Sequence, residues 1–114
     1  MHQVMNQAMK DCIKACETCH DSCLSMAMRH CLMRGGEHVA PEHFALMRDC
    51  AEICQTAANF MLAGSPYHQE VCALCAEICA ECADSCAETG GMQQCVEACR
   101  RCAETCREMA AAAG

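Results

Sequence analysis

Cysteine supplies 16 of the 114 residues, and thiols in that number can cross-link, exchange electrons or hold soft metals. Their spacing separates these chemistries. The runs are Cys12, Cys16, Cys19, Cys23, then Cys50, Cys54, then Cys72, Cys75, Cys79, Cys82, Cys86, then Cys95, Cys99, Cys102, Cys106, with every interval inside a run three or four residues. Cys31 alone stands outside them. Cys-x3-Cys occurs seven times and Cys-x2-Cys four times, with no adjacent pair and no Cys-x-Cys. A 3/4 alternation sets each run on one stripe of an α-helix, where leucine would normally face a core.

Four uses of such stripes compete. Disulfides need side chains that converge from separate segments, and a bond between i,i+4 neighbours on one helix constrains almost nothing. Iron-sulfur clusters are usually wrapped by loops carrying Cys-x2-Cys-x2-Cys runs, which are absent from this sequence. Zinc in tetrathiolate sites is the stronger rival. Each such site carries two net negative charges, however, and a column of them in a low-dielectric interior would cost roughly several kcal/mol per uncompensated charge. Cu(I) avoids that cost, because one Cu(I) replacing one thiol proton leaves the core charge unchanged, and soft thiolate and thioether ligands select it. A pair of i,i+4 thiols also suits a two-coordinate ion, whose sulfur-to-sulfur span is about twice a metal-sulfur bond of roughly 2.2 Å.

Helices must carry these stripes, and Gly and Pro mark their ends. Gly35-Gly36 through Pro41, Gly64-Ser65-Pro66 and Gly90-Gly91 leave segments at about 2–33, 42–62, 66–88 and 92–112. Ser65 is expected as an N-cap with Pro66 in the first turn behind it. Short connections favour antiparallel neighbours, so the chain reads as all-α, an up-down-up-down four-helix bundle with a cysteine-lined core, one domain over 1–114.

In an ideal helix Cys12, Cys16, Cys19, Cys23, Met26 and His30 fall within about 40° of one direction. His43, Met47, Cys50, Cys54, Ala57 and Met61 share a second stripe, on which cysteine is sparser. His68 shares the third with its five cysteines, and Met92 and Met109 bracket the fourth. Antiparallel packing then gathers Met26, His30, Met33, His43, Met47 and Met92 at one end, and Met5, Met9, Met61, His68 and Met109 at the other. Thioethers and imidazoles there would relay metal to the thiols, with His30, His43 and Met47 as candidate ligands. Cys31 lies about 100° off its stripe and reads as either a mouth ligand or an exposed thiol. His2, His20 and His38 are expected at the surface.

Composition narrows the partners. Leu, Ile, Val and Phe total only fourteen and there is no Trp, so the core rests on Cys, Ala and Met, and the fold leans on helix propensity, subunit association or a ligand. A net charge of −7 argues against a nucleic-acid groove. No apolar run is long enough to span a membrane, and the first residues lack the pattern of a secretory signal, which leads us to expect a cytoplasmic protein. No catalytic constellation stands out, so no enzyme is expected. A thiol redox protein would need an exposed, activated thiolate at a helix N-terminus or beside a base, whereas these cysteines sit in mid-helix stripes.

Seven Cys-x3-Cys pairs spread over four successive helical segments resemble the bacterial copper storage protein family, over essentially the whole chain. The resemblance implies a homotetramer of bundles, each filled with many Cu(I) ions, with His and Met at the open end where copper enters. Carried onto this chain, the pairs are Cys12 with Cys16, Cys19 with Cys23, Cys50 with Cys54, Cys75 with Cys79, Cys82 with Cys86, Cys95 with Cys99 and Cys102 with Cys106. The expected function is cytosolic Cu(I) storage and detoxification. A zinc or general soft-metal buffer and a thiol redox protein are the alternatives.

Overall fold

The computed structural model describes residues 5–112. Helix α1 (Gln7–Ser25) begins where Asn6 Oδ1 accepts the Met9 N–H at 2.8 Å, satisfying a backbone donor that the first turn leaves unpaired. It runs on through a π-helical turn (Met26–Cys31) into the short α2 (Leu32–Arg34). Gly35, at φ +68°, stops the helix, and Gly36, at φ +57°, starts a 3₁₀ turn (Gly36–Val39). The chain re-enters a helix at Pro41, whose ring pre-sets the first residue of α3 (Pro41–Leu62). Helices α4 (His68–Thr89) and α5 (Gln93–Ala111) complete the order.

Packing runs α1 on α3, α3 on α4, α4 on α5 and α5 on α1, which closes the four long helices into a ring. The result is an elongated bundle of 52 × 20 × 20 Å. The segments read at 42–62 and 92–112 match α3 and α5 to within one residue, whereas the first helix begins at Gln7 rather than near residue 2, and α4 differs as well. Ser65 is not its N-cap. Its hydroxyl accepts the Tyr67 N–H at 3.1 Å, closing a tight turn that holds Pro66 outside the helix, and α4 starts two residues later than expected.

The π turn changes what the first helix buries. Such a turn adds one residue, so positions after it lag the 100° rotation of an α-helix. Ala27 and Cys31 therefore follow Cys23 into the core, both fully buried, while Met26 and His30 are left half-buried. Asp11, Glu17, Asp21, Glu52, Glu77, Glu81, Asp84, Glu97 and Glu104 all face solvent as expected. Among the described residues no helix is long and apolar enough to cross a membrane.

Candidate metal centre

All sixteen cysteines have zero exposure, and none is disulfide-bonded. They form a column along the bundle axis. At the end furthest from the 3₁₀ turn, Cys12, Cys72 and Cys106 converge, with Cys106 Sγ 3.6 Å from both Cys12 and Cys16. Above them come Cys16, Cys75, Cys102 and Cys106, then Cys54, Cys75, Cys79 and Cys102, then Cys19, Cys50, Cys54 and Cys79, then Cys19, Cys23, Cys50 and Cys99. Successive groups share members, so the sulfurs are continuous rather than partitioned into isolated sites.

Four of the seven i,i+4 pairs expected to chelate are directly in contact: Cys19 with Cys23 at 3.9 Å, Cys75 with Cys79 at 3.8 Å, Cys82 with Cys86 at 4.0 Å and Cys102 with Cys106 at 3.9 Å. Each helix lends its stripe to the same axis, so sulfurs from different helices touch as closely as sulfurs within one. Near the 3₁₀ turn the Cys95 thiol donates to the Ser22 carbonyl at 3.5 Å.

Cys31 lies at that end. Its Sγ is 3.7 Å from Met47 Sδ, 3.9 Å from Met92 Sδ and 3.8 Å from His38 Nδ1. The reading of Cys31 as an exposed thiol is therefore wrong, and the π turn is the cause. His38, expected at the surface, is buried. The two glycines fold the 3₁₀ turn back over the helix end and carry the imidazole with it. The ring of His30 meets that of His38 edge-on, with centroids 5.2 Å apart. His43 Nδ1 is 2.7 Å from Ser85 Oγ. Nε2 of His30 and Nε2 of His43 are both buried with no hydrogen-bond partner, an arrangement that costs free energy in a protein interior unless a ligand uses the nitrogen.

Two further residues depart from expectation. Met33 is 84% exposed, so it does not join the mouth group. His20 is half-buried, its Nδ1–H reaching the Ala51 carbonyl at 2.7 Å and tying α1 to α3. His2 lies outside the described residues. At the opposite end Met61 and Met109 are buried and His68 Nδ1–H donates to the Ser65 carbonyl at 2.9 Å. Gln69 Nε2 reaches the Ala112 carbonyl there. No buried, unpaired imidazole nitrogen lies at that end among the described residues.

Electrostatics favours exchange of metal for protons. Burial pushes the Cys31 thiol above its usual range, and negative charge on Cys86 or Cys82 would push it further. The Cys86 thiol is pushed up to about 12, first by the bond it gives Cys82. Cys50 is raised by its bonds to Cys19 and Cys23, and Cys102 by those to Cys106 and Cys16, whereas Cys19 and Cys75 are lowered, each first by its bond with Cys102, so the core alternates between thiols that hold their protons and thiols that give them up more readily. His38 moves the other way. Burial, then the charge of Arg34, holds its imidazole neutral, the form that can ligate a metal.

The sequence model of the copper storage protein family matches residues 2–111. A solved protein of Nitrosospira multiformis is 55% identical and superposes with a TM-score of 0.92, covering 94% of this chain and 98% of its own. The Cu(I)-bound copper storage protein BsCsp3 is 39% identical with a TM-score of 0.85, covering 92% and 100%. A cytosolic copper storage protein of Streptomyces lividans, solved with five coppers, is 32% identical with a TM-score of 0.84, covering 95% and 96%. An uncharacterized cysteine-rich protein of Bacillus subtilis (strain 168) is 40% identical over 71 residues, 62% of this chain, and the match spans 58% of that relative's length.

Proposed function

The chain belongs to the copper storage protein family, and from that premise we propose that it is a cytoplasmic store and detoxifying sink for Cu(I), acting as one domain over residues 1–114. One observation carries the reading: all sixteen thiols are buried, and twelve of them fall into five overlapping groups that run along the bundle. Charge neutrality explains why the cargo is monovalent, since each Cu(I) that displaces a thiol proton leaves the interior no more charged than before. The burial of every thiol also argues against a redox enzyme, which needs an accessible thiolate. The reading assigns the chain no catalytic turnover.

The proposed ligands are Cys12, Cys16, Cys19, Cys23, Cys31, Cys50, Cys54, Cys72, Cys75, Cys79, Cys82, Cys86, Cys95, Cys99, Cys102 and Cys106, with His30, His43 and Met47 at the mouth. His38 and Met92 join that mouth set because both contact the Cys31 thiol. Copper enters there, in this proposal, because weaker N and thioether ligands pass an ion inward without trapping it. Assembly into a homotetramer, which the family resemblance implies, is supported by an exposed apolar ridge on the first helix. Leu24, Met28 and Leu32 stand four residues apart there, between 36% and 50% exposed.

Anaerobic titration of the reduced protein with Cu(I) against a competing chelator tests the reading. The expected capacity is on the order of 16 ions per chain, set by thiol count. Saturation at about four would point instead to isolated tetrathiolate sites and end the Cu(I) column proposal. A pH series checks the exchange of metal for protons. Because burial holds the Cys31 thiol protonated, as hydrogen bonding holds Cys86, apparent Cu(I) affinity should fall steadily as pH is lowered from about 8 to about 6. Affinity independent of pH would mean that the thiols are already ionised.

A further inference from the structure

Copper coordination does not account for the regularity of one quartet. The six sulfur-to-sulfur distances among Cys19, Cys23, Cys50 and Cys99 are 3.9, 3.7, 3.7, 3.7, 3.5 and 3.8 Å. Six nearly equal edges define a regular tetrahedron. Its centre lies about 2.3 Å from each sulfur, which is the Zn–S bond length of a structural tetrathiolate site, where the ideal edge is about 3.8 Å. A two-coordinate Cu(I) asks instead for sulfurs about 4.4 Å apart, wider than any of these edges.

We propose that the middle of the column is also a binding site for one divalent cation of tetrahedral preference, such as Zn2+, held by Cys19, Cys23, Cys50 and Cys99. Helix α1 supplies two of the ligands as an i,i+4 pair, and α3 and α5 supply one each. The ion therefore clamps three helices without moving a sulfur. A second quartet, Cys54, Cys75, Cys79 and Cys102, shares no residue with the first. Five of its edges run from 3.4 to 3.9 Å, and the sixth is within 4.8 Å. It is the less regular of the two and the weaker site.

Binding proceeds as M2+ plus four thiols giving a dianionic tetrathiolate and four protons, with no change of oxidation state. The charge limits the number of ions. The two quartets touch, with Cys50 and Cys79 sulfurs 3.6 Å apart, so a second dianion beside the first meets strong repulsion in a medium of low dielectric constant. One divalent ion per chain is the stable load, and filling the whole column is left to Cu(I). Because the ion sits on the path between the mouth and the inner thiols, it delays copper loading until Cu(I) displaces it. The proposal rests on the copper reading only in treating the thiols as reduced and able to bind metal.

The test is anaerobic titration of the reduced full-length chain with Co2+, followed by its visible ligand-field bands and by proton release. The first equivalent should give the intense spectrum of a tetrahedral tetrathiolate and release about four protons, and Zn2+ should bleach it one for one. Cys23→Ala and Cys99→Ala should each weaken Co2+ binding at least roughly tenfold, while Ile13→Ala, a core change that removes no ligand, leaves it unchanged. The wild-type spectrum needs no variant to fold. A spectrum lacking the tetrathiolate bands overturns the proposal, as does an Ile13→Ala chain weakened as much as Cys23→Ala. Cu(I) titration of the same sample separates the two readings. A chain that takes Cu(I) but gives no tetrathiolate Co2+ bands sinks the divalent site alone, whereas one that takes neither metal sinks both.

Discussion

Cu(I) uptake should slow by roughly tenfold or more in a chain carrying Cys31→Ala, His38→Ala, Met47→Leu and Met92→Leu, while capacity falls by about one ion, the single thiol removed. The expected split between rate and capacity follows from where these groups sit. Cys31 is the outermost sulfur of the column, and Met47, Met92 and His38 surround it within 3.9 Å. An arriving ion meets this set before any all-thiol group, so losing it removes the soft contacts that lower the barrier to transfer. A loss of about 1.4 kcal/mol of stabilisation in the transition state is enough for a tenfold effect. Replacing Met by Leu keeps core volume and should cost less than about 1.5 kcal/mol of stability per site, so the fold survives. Cys75→Ala with Cys79→Ala should behave in the opposite way, with capacity lower by about two ions and the initial rate unchanged. Stopped-flow transfer from a Cu(I) chelator reads both quantities. A mouth variant that loads at the wild-type rate would move uptake to the opposite end, beside Met61 and Met109.

That prediction differs from the one the sequence alone supports, and the difference has two structural sources. Intervals of three and four fix the direction of every cysteine in a run, whatever the tertiary contacts, so spacing alone assigns fifteen thiols to the core. Gly and Pro punctuated the helices clearly enough that α3, α4 and α5 begin and end within two residues of the segments read from sequence. The π turn at Met26–Cys31 has no comparable signature. Rotating the first segment at 100° per residue points His30 inward and Cys31 away, and one inserted residue reverses that order. A clue was present in the fourfold repeat of small side chains at Cys23, Ala27 and Cys31, which fits a core better than the Met26 and His30 alternative does. His38 was illegible for a different reason. Its place depends on how Gly35 and Gly36 aim a 3₁₀ turn, and positive φ at consecutive glycines permits many directions until the turn packs.

Full loading with Cu(I) should raise the unfolding temperature by at least about 15 °C, a larger change than any single core substitution should produce. The metal-free core explains the size of the effect. Among the described residues Ile13 and Val96 are the only buried branched aliphatics, and the remaining apolar burial comes from cysteine, alanine and methionine. Small side chains bury less area each, so the hydrophobic contribution per residue is low. Copper adds what the side chains lack. Cys19 on α1, Cys50 on α3, Cys79 on α4 and Cys99 on α5 form a chain of sulfur contacts at 3.6 to 3.8 Å, so bridging ions would tie all four helices together. Thiols of the unfolded chain also bind Cu(I), and only the preference for the folded column counts. A preference equivalent to one site at a thousand times its dissociation constant contributes about 4 kcal/mol, which corresponds to a shift on the order of 15 °C or more in a domain of this size. The helices themselves need no metal, because Asn6, Pro41 and the glycine turns already define their ends. Circular dichroism of the reduced, metal-free chain should therefore report a helical protein, and scanning calorimetry under anaerobic conditions should then show the upward shift on loading. A helical chain whose melting temperature does not move would mean that the unfolded thiols bind copper as well as the folded column does, which is incompatible with sulfurs held in place by the bundle.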